Sequence, residues 1–227
     1  MSVTAVITNH DYGRYLRQCV DSALEFCDEV LVYDDGSTDD SLAILAEYGD
    51  RIRLVHRDEA TGCPVWGSNL GIEQATCDHL LFLDSDNYLL RRPPETDADY
   101  TFVDLPVVKD DGTPIETWQF ATWPLTARGA LKRFVQYRGM PFPWAGVWRT
   151  DFVRHLRWRR WVPETGYAAD FRTAVDWCLQ GPTLAHDPVP YMVFRTHEGQ
   201  WSASPDDVLC GDAITTAVNR ASRLLNP

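Results

Sequence analysis

The sequence predicts an α/β fold with a mainly parallel β-sheet that carries helices on both faces. The first ninety residues repeat one rhythm: a short run rich in Val, Ile and Leu, then a polar turn, then a segment with helical spacing. Several of these runs are continuously apolar, which is typical of strands covered on both faces. With 227 residues, of which 44% are hydrophobic, the chain can bury a core.

The sequence predicts four strands that alternate with helices in the first half of the chain. The strands cover residues 3–8, 29–34, 52–56 and 79–84. Apolar residues at three- and four-residue steps predict a helix over 15–27, after the first strand. The run Ser37-Thr38-Asp39-Asp40 supplies N-cap residues for a second helix, which ends at Gly49. A third helix, over 66–76, leads into the fourth strand.

The second half has a different pattern, which begins after Pro93-Pro94. A strand is predicted over 100–108, Lys109-Asp110-Asp111-Gly112 is a turn signal, and the next run predicts a hairpin partner. Eight of the nine tryptophans lie at or after Trp118. Because no long linker separates the halves, we interpret residues 1–227 as a single domain, in which 93–227 form an irregular, Trp-rich half built onto the sheet.

Composition excludes several classes of protein. The chain has 21 Lys+Arg and 33 Asp+Glu, a net charge of −12, which disfavours a protein that coats nucleic acid. No run approaches the roughly 20 apolar residues of a membrane span, and the first residues lack a signal-peptide pattern, so we predict a cytoplasmic protein. The six cysteines are scattered, which fits neither a zinc site nor a disulfide scaffold.

Polar side chains follow three of the predicted strands, where ligands bind in open α/β sheets. These segments are Thr8-Asn9-His10-Asp11, Asp34-Asp35-Gly36-Ser37 and Asp84-Ser85-Asp86-Asn87. Carboxylates that converge on one edge repel one another unless a cation or hydrogen-bond donors offset them. An Asp-x-Asp at a strand end offers hard oxygen ligands to Mg²⁺ or Mn²⁺, and such an ion would neutralise a diphosphate leaving group.

With these motifs the chain resembles the family 2 glycosyltransferases, which have the Rossmann-like GT-A fold. The matching segments, in the family's order, are residues 6–16 (VITNHDYGRYL), 32–39 (VYDDGSTD), Gly62 with 69–72 (NLGI), and 82–87 (FLDSDN). A shorter match near the end of the chain, Phe194-Arg195-Thr196-His197 with Gln200 and Ser202, is similar to the family's closing Arg-x-His segment.

The resemblance implies a donor site in residues 1–92 and an acceptor site in 93–227. Thr8 and Asn9 would line the nucleotide base, and Asp35 would hydrogen-bond it, the base usually being uracil. Asp84 would lie near the ribose and the metal, Asp86 would be the principal ligand of Mn²⁺ or Mg²⁺, and His197 would close over the metal. The remaining residues assigned to the nucleotide sugar are Asp11, Gly62, Asn69 and Ser85.

The resemblance also implies the reaction, transfer of a sugar from a nucleoside diphosphate sugar to an acceptor hydroxyl with inversion. A carboxylate must take the proton of that hydroxyl. Asp176 aligns best with the family's base and is preferred to Asp170, with Glu164 as a further alternative. Two departures leave the donor and the activity open: Ser68 stands where relatives often have Arg, and Val175 where they have Glu.

A basic cluster in the second half is a separate candidate for acceptor binding. It contains Arg149, Arg154, Arg157, Arg159 and Arg160, with His155, Trp158 and Trp161 among them. One interpretation is a helix face that pairs with the surplus of acids. The other is an acceptor site, centred on Arg157, Trp158, Arg159 and Arg160, for a phospholipid-linked saccharide or a nucleic acid with a modifiable hydroxyl.

Three alternative functions are weighed against the glycosyltransferase. A haloacid-dehalogenase-type phosphatase also uses Asp-x-Asp after an apolar strand, but there the motif usually follows the first strand. A sugar nucleotidylyltransferase would need a Gly-rich phosphate loop that is absent after strand one. A non-catalytic GT-A-fold binding protein remains open because of Ser68 and Val175.

Overall fold

The computed structural model describes residues 1–62, 64–137, 145–155, 168–198, 200, 218–219 and 221–223, with the backbone alone at 134, 137 and 168–172. The helices are α1 (Gly13–Phe26), α2 (Ser41–Ala46), α3 (Val65–Gln74), α4 (Ala127–Tyr137), α5 (Thr150–Arg154) and α6 (Ala168–Leu179). The strands are β1 (Val3–Asn9), β2 (Glu29–Asp34), β3 (Arg53–His56), β4 (His79–Asp84), β5 (Tyr88–Leu89), β6 (Tyr100–Val103), β7 (Leu105–Lys109), β8 (Pro114–Trp118), β9 (Gly146–Arg149), β10 (Leu184–Asp187) and β11 (Met192–Thr196).

The main sheet of the described part has seven strands in the order β10-β6-β9-β4-β1-β2-β3. All pairings in it are parallel except those of β9, which runs antiparallel to β4 and to β6. The α/β fold and the four predicted strands of the first half are therefore confirmed. The second half is less irregular than predicted, because it contributes β6, β9 and β10 to this sheet.

The prediction of a single strand over 100–108 was wrong in one respect. The chain leaves the main sheet within these residues. β6 ends at Val103, Asp104 intervenes, and β7 begins at Leu105 in a second sheet of order β5-β11-β7-β8. Both strands are largely buried, so a continuous apolar run conceals the change of sheet. The predicted hairpin is confirmed, since β7 pairs with β8 in the antiparallel sense around the turn at Gly112.

Aromatic side chains form the core under the second half. The rings of Tyr100 and Trp148 stack with centroids 3.7 Å apart, and Trp177 meets Trp148 edge-on at 4.3 Å. All three residues are fully buried. At these positions the late tryptophans therefore pack between sheet and helix. No helix in the described part of the chain is long and apolar enough to cross a membrane.

Helix α3 lies unusually close to the main sheet because two of its residues are glycines. A Cβ on Gly71 would sit 2.3 Å from a methyl carbon of Val6, and one on Gly67 would sit 2.7 Å from Cβ of Tyr33. Neither distance is compatible with a side chain unless the helix moves. The glycine of the Asn-Leu-Gly motif is therefore explained by packing.

Gly71→Ala tests this close approach. We expect the variant to lose about 1–3 kcal/mol of unfolding free energy, since overpacking a dense core costs that much. Urea denaturation measures the change, and the double variant Gly71→Ala/Val6→Ala is the control that restores the space. A Gly71→Ala protein as stable as the wild type would contradict the contact.

Candidate functional site

Three of the motif segments meet at the carboxyl edge of the main sheet. The parallel strands β4, β1 and β2 are neighbours there, and their register places Thr8 beside Asp84 and Asn9 beside Asp34. Ligands bind at this edge of open α/β sheets. The structure therefore brings together the residues that the sequence analysis assigned to the nucleotide and the metal.

The loops after β1 and β2 are held to each other by side-chain hydrogen bonds. Asn9 Nδ2 donates to Asp34 Oδ2 at 2.8 Å, deep in the sheet edge. Asp11, in the left-handed conformation with φ 57°, accepts the backbone N–H of Thr38 at 2.6 Å. The Asp11 carboxylate thus fixes the turn after β2, and its predicted contact with the donor remains a prediction.

Asp35 is buried and holds the loop that contains Gly62. Its carboxylate accepts the backbone N–H of Thr61 at 2.9 Å, the Thr61 hydroxyl at 2.7 Å and the backbone N–H of Gly62 at 3.1 Å. The predicted base-binding carboxylate and the predicted loop glycine are therefore in direct contact. A base that binds Asp35 has to share or replace these hydrogen bonds.

Asp86 and His197 form a buried pair at the carboxyl end of β4. His197 Nε2 lies 3.2 Å from Asp86 Oδ2, and the two side chains are 1% and 5% exposed. The other ring nitrogen, Nδ1, lies 2.9 Å from the carbonyl oxygen of Glu198. The imidazole packs against Tyr12 and Tyr15, with ring centroids 5.3 and 4.7 Å away. The predicted contact between Asp-x-Asp and the Arg-x-His segment is thus present.

The second carboxylate oxygen of Asp86 suits a cation. Asp86 Oδ1 is buried and has no hydrogen-bond partner among the described residues. Burial raises the pKa of Asp86, although the hydrogen bond and charge of His197 act in the opposite direction. An orphaned carboxylate oxygen beside an imidazole fits Mn²⁺ or Mg²⁺ chemically, with further ligands from the diphosphate. No group of three or more ligand side chains occurs within the described residues.

Arg195 is a buried hub that joins the second sheet to the Asp-x-Asp loop. Its Nε donates to the carbonyl oxygen of Asp86 at 3.0 Å, and its Nη1 donates to that of Asp110 at 3.0 Å. Its Nη2 donates to Gln18 on α1, and its backbone N–H donates to Asn87 Oδ1 at 2.9 Å. One guanidinium therefore fixes β11, the β7–β8 turn and the loop of Asp86 relative to one another.

The hairpin turn reaches the same site through Tyr15, which the sequence analysis missed. The Tyr15 hydroxyl donates to Asp110 Oδ1 at 2.5 Å, and Arg14 forms an ion pair with Asp110 at 3.4 Å. Burial, followed by the hydrogen bond to Asp110, raises the pKa of Tyr15 to about 12. The tyrosine stays neutral at physiological pH, as a donor to Asp110 and an apolar wall for His197. In the sequence, Tyr15 is indicated only by its place in the first motif, residues 6–16.

Comparison with known sequences supports the family resemblance. Residues 4–92 match the model of the family described as glycosyl transferase family 2. Over these residues the chain is similar to that family. TuaG of Bacillus subtilis, a proposed teichuronic acid biosynthesis glycosyltransferase, is 27% identical over 147 residues, 59% of this chain and 58% of TuaG. The glycosyltransferase GlyG of Streptococcus pneumoniae is 29% identical over 100 residues, 41% of this chain and 33% of GlyG. The chain thus matches about a third to somewhat over half of these relatives' length.

Solved structures of TarS from S. aureus share the fold. TarS 1–349 in complex with UDP-GlcNAc superposes with a TM-score of 0.72 at 18% identity, covering 96% of this chain and 66% of that chain. The complex with UDP gives a TM-score of 0.71 at 18% identity and covers 97% of this chain and 65% of that chain. The predicted GT-A fold is confirmed by this match.

The structure shows the environment of the two residues at which the chain departs from the family's usual pattern. Ser68, which replaces the usual Arg, is buried in α3 and donates to the carbonyl oxygen of Pro64 at 3.1 Å. Asn69, predicted to bind the donor, follows it in the first half of the same helix. Val175, which replaces the usual Glu, is buried in the core. Both replacements therefore serve packing.

The preferred base, Asp176, lies on α6 next to a residue that packs near the amino end of the sheet, and its role remains a prediction. Its neighbour Trp177 packs on Trp148, and Trp148 pairs with Leu80 and Tyr100 at the amino ends of β4 and β6. Asp170 lies in the first turn of α6, about 9 Å along the helix from Asp176 at 1.5 Å per residue. The side chain of Asp170 and the whole of Glu164 lie outside the described residues.

The described members of the basic cluster lie at the opposite edge from the family 2 site. Arg149 pairs with Asp99 at 2.7 Å and with Asp151 at 2.6 Å, and Arg154 donates to the carbonyl oxygen of Ala75 at 2.6 Å. Arg149 is the register partner of His79, the first residue of β4. Arg149 therefore fits the interpretation of pairing with surplus acids, whereas Arg154 binds a backbone carbonyl oxygen. Arg157, Trp158, Arg159 and Arg160 lie outside the described residues.

Proposed function

We propose that this chain is a metal-dependent, inverting glycosyltransferase that transfers a sugar from a nucleoside diphosphate sugar to an acceptor hydroxyl. The observation that carries the proposal is the buried Asp86–His197 pair, with its unpartnered carboxylate oxygen, at the carboxyl edge of a family 2 sequence. A buried, orphaned carboxylate costs stability unless a ligand or ion uses it. A structural role alone does not account for it.

The donor is a uridine diphosphate sugar. Asp35 and Asn9 stand at the ends of neighbouring strands, as a base-binding pair requires. Support also comes from TarS, which has the same fold and was solved with UDP and with UDP-GlcNAc. Mn²⁺ or Mg²⁺, held by Asp86 and His197 with Asp84 close by, would neutralise the charge of the departing diphosphate. The chain's own residues bind the nucleotide and orient the sugar.

The acceptor hydroxyl is activated by a carboxylate on α6. An alcohol is a poor nucleophile until a base takes its proton during attack, and a single displacement at the anomeric carbon inverts its configuration. We assign the base to Asp170 in place of Asp176, because Asp176 adjoins a tryptophan packed at the amino end of the sheet. Asp170 lies almost two helical turns nearer the start of α6.

Calorimetric titration with UDP, GDP, TDP and CDP, each with and without Mn²⁺, tests the donor site. We expect UDP to bind in the presence of Mn²⁺ and Asp86→Asn to weaken this binding by more than about 100-fold, since even changes outside the first ligand shell cost 10–100-fold. Asp50 is an exposed carboxylate between α2 and β3. Asp50→Asn is the matched control and retains binding.

Each outcome of the titration discriminates between functions. Binding of UDP that is equal with and without Mn²⁺ contradicts the metal site and leaves the donor in place. Selective binding of another nucleotide corrects the donor. If no nucleotide binds under any condition, the transferase proposal fails and a non-catalytic binding protein becomes the better hypothesis.

A further inference from the structure

Asp110, at the tip of the β7–β8 hairpin, contacts two elements outside the hairpin. Its side chain accepts the Tyr15 hydroxyl of α1 at 2.5 Å and pairs with Arg14 at 3.4 Å. Its backbone carbonyl oxygen accepts a hydrogen bond from Arg195 Nη1 of β11 at 3.0 Å. One residue of the second sheet therefore joins the first helix to the strand that leads to His197.

These contacts close into a ring that includes the Asp86–His197 pair. On one side, the Tyr15 ring connects Asp110 to the His197 imidazole, with 4.7 Å between the ring centroids. On the other side, Arg195 connects Asp110 to the carbonyl oxygen of Asp86, 3.0 Å from its Nε. The 3.2 Å contact between His197 Nε2 and Asp86 Oδ2 completes the ring. Each member of the pair is thus linked to Asp110 through one intermediate side chain.

The two intermediate side chains are buried and packed on each other. Tyr15 and Arg195 are 5% and 7% exposed, and the Arg195 guanidinium lies over the Tyr15 ring, 4.8 Å from its centroid. Arg14 carries donors only, so Asp110 is the acceptor for the Tyr15 hydroxyl among the described residues. Because protein interiors are close-packed, a turn of the Tyr15 ring would displace the imidazole of His197.

We infer that Asp110 is a positioning residue for the Asp86–His197 pair. Asp110 fixes the Tyr15 ring, and the ring holds the His197 imidazole with Nε2 towards Asp86. The consequence for ligand binding rests on the proposed function, in which the pair holds Mn²⁺ or Mg²⁺. Groups that orient metal ligands affect metal affinity without touching the ion. The hairpin lies outside residues 4–92, so the second sheet takes part in shaping the donor edge.

A second tyrosine–aspartate pair on α1 provides a matched control. The Tyr48 hydroxyl donates to Asp21 Oδ1 at 2.9 Å. The Arg51 guanidinium lies over the Tyr48 ring at 4.9 Å, as that of Arg14 lies over the Tyr15 ring at 4.3 Å. Asp21 is six residues further along α1 than Tyr15, about 9 Å at 1.5 Å per residue. The same substitutions in both pairs therefore separate the effect of position from that of chemistry.

Calorimetric titration with UDP in excess Mn²⁺ tests the effect on ligand binding. We expect Asp110→Ala to weaken this binding by about 10–100-fold, the usual cost of removing a group that orients a metal ligand. Tyr15→Phe keeps the ring but loses the hydroxyl, so it should cause a similar loss, and the double variant should lose no more than either single one. Asp110→Asn keeps an acceptor for the Tyr15 hydroxyl and should retain most of the affinity.

The matched variants Asp21→Ala and Tyr48→Phe should bind UDP with wild-type affinity. Losses in them as large as that in Asp110→Ala would overturn the inference, as would an Asp110→Ala protein that binds UDP like the wild type. Circular dichroism melting shows whether a variant that loses binding is still folded, and where Asp110→Ala is unfolded, Tyr15→Phe decides.

Histidine ring NMR of the protein without UDP or metal tests the positioning itself. The chain has six histidines, and the signals of His197 are those that disappear in His197→Gln. Asp110→Ala should shift these signals, because the ring current of Tyr15 at the imidazole depends on ring orientation, whereas Asp21→Ala should leave them in place. Unchanged His197 signals in Asp110→Ala contradict the inference. Shifted signals in a protein that binds no nucleotide leave the positioning role in place and contradict the proposed function.

Discussion

Asp170→Asn is expected to lower the rate of sugar transfer by about 10²- to 10⁴-fold, the usual contribution of a general base. The amide cannot take a proton, although it keeps the shape of the side chain. Asp176→Asn is the matched comparison on the same helix, and we expect it to change the rate by less than about threefold, since Asp176 adjoins a tryptophan packed near the amino end of the sheet. Steady-state kinetics of sugar transfer from UDP-GlcNAc measures both.

Donor binding distinguishes a lost base from a lost fold in this comparison. Asp170→Asn should bind UDP with wild-type affinity, because the base acts on the acceptor. The reverse pattern, in which Asp176→Asn is inactive and Asp170→Asn active, would restore the assignment made from the sequence. Equal activity of both variants would move the base to another residue, with Glu164 the next to replace.

Arg195→Met is expected to cost about 2–4 kcal/mol of unfolding free energy, because the buried guanidinium loses its hydrogen bonds to Gln18 and to the carbonyl oxygens of Asp86 and Asp110. Methionine retains the volume of the aliphatic stem but none of the hydrogen bonds. We also expect Mn²⁺-dependent UDP binding to weaken, since the loop of Asp86 loses its support. Urea denaturation and calorimetry measure the two effects.

A surface arginine provides the control for Arg195. Arg17 forms a two-pronged ion pair with Glu47, but both side chains are more than half exposed. Exposed pairs contribute little to stability, so Arg17→Met should unfold close to the wild-type midpoint. If Arg195→Met unfolds there too and binds UDP normally, the hub role assigned to Arg195 is wrong.

The fold of residues 1–92 was predicted well from the sequence because its sequence signals are local. Apolar runs mark β1, β2 and β4, and the polar segments that follow them fall together as soon as the strands are parallel neighbours. The Asp86–His197 contact was also predictable, but only through the family resemblance, since 111 residues separate the two positions.

The contacts of the second half could not be predicted because they join distant residues. The Asp104–His186 pair spans 82 positions and requires the chain to change sheets inside an apolar run, for which no turn residue gives a signal. Likewise, Tyr15 meets Asp110 only because a hairpin of the second sheet folds over α1. The choice between Asp176 and Asp170 as the base stays a prediction, since the helix places the two aspartates six residues apart along its axis.

The antiparallel strand β9 has a consequence for how this protein can be divided. Within residues 4–92, β4 is the last strand of the main sheet, and its outer edge pairs with β9 at Leu80 and His79. A fragment cut after residue 92 would expose that apolar edge, a template for intermolecular strand pairing and aggregation. The stretch that a family comparison matches is therefore not an exchangeable module. Recombination between relatives at this boundary would have to carry β9 along or supply a substitute for it.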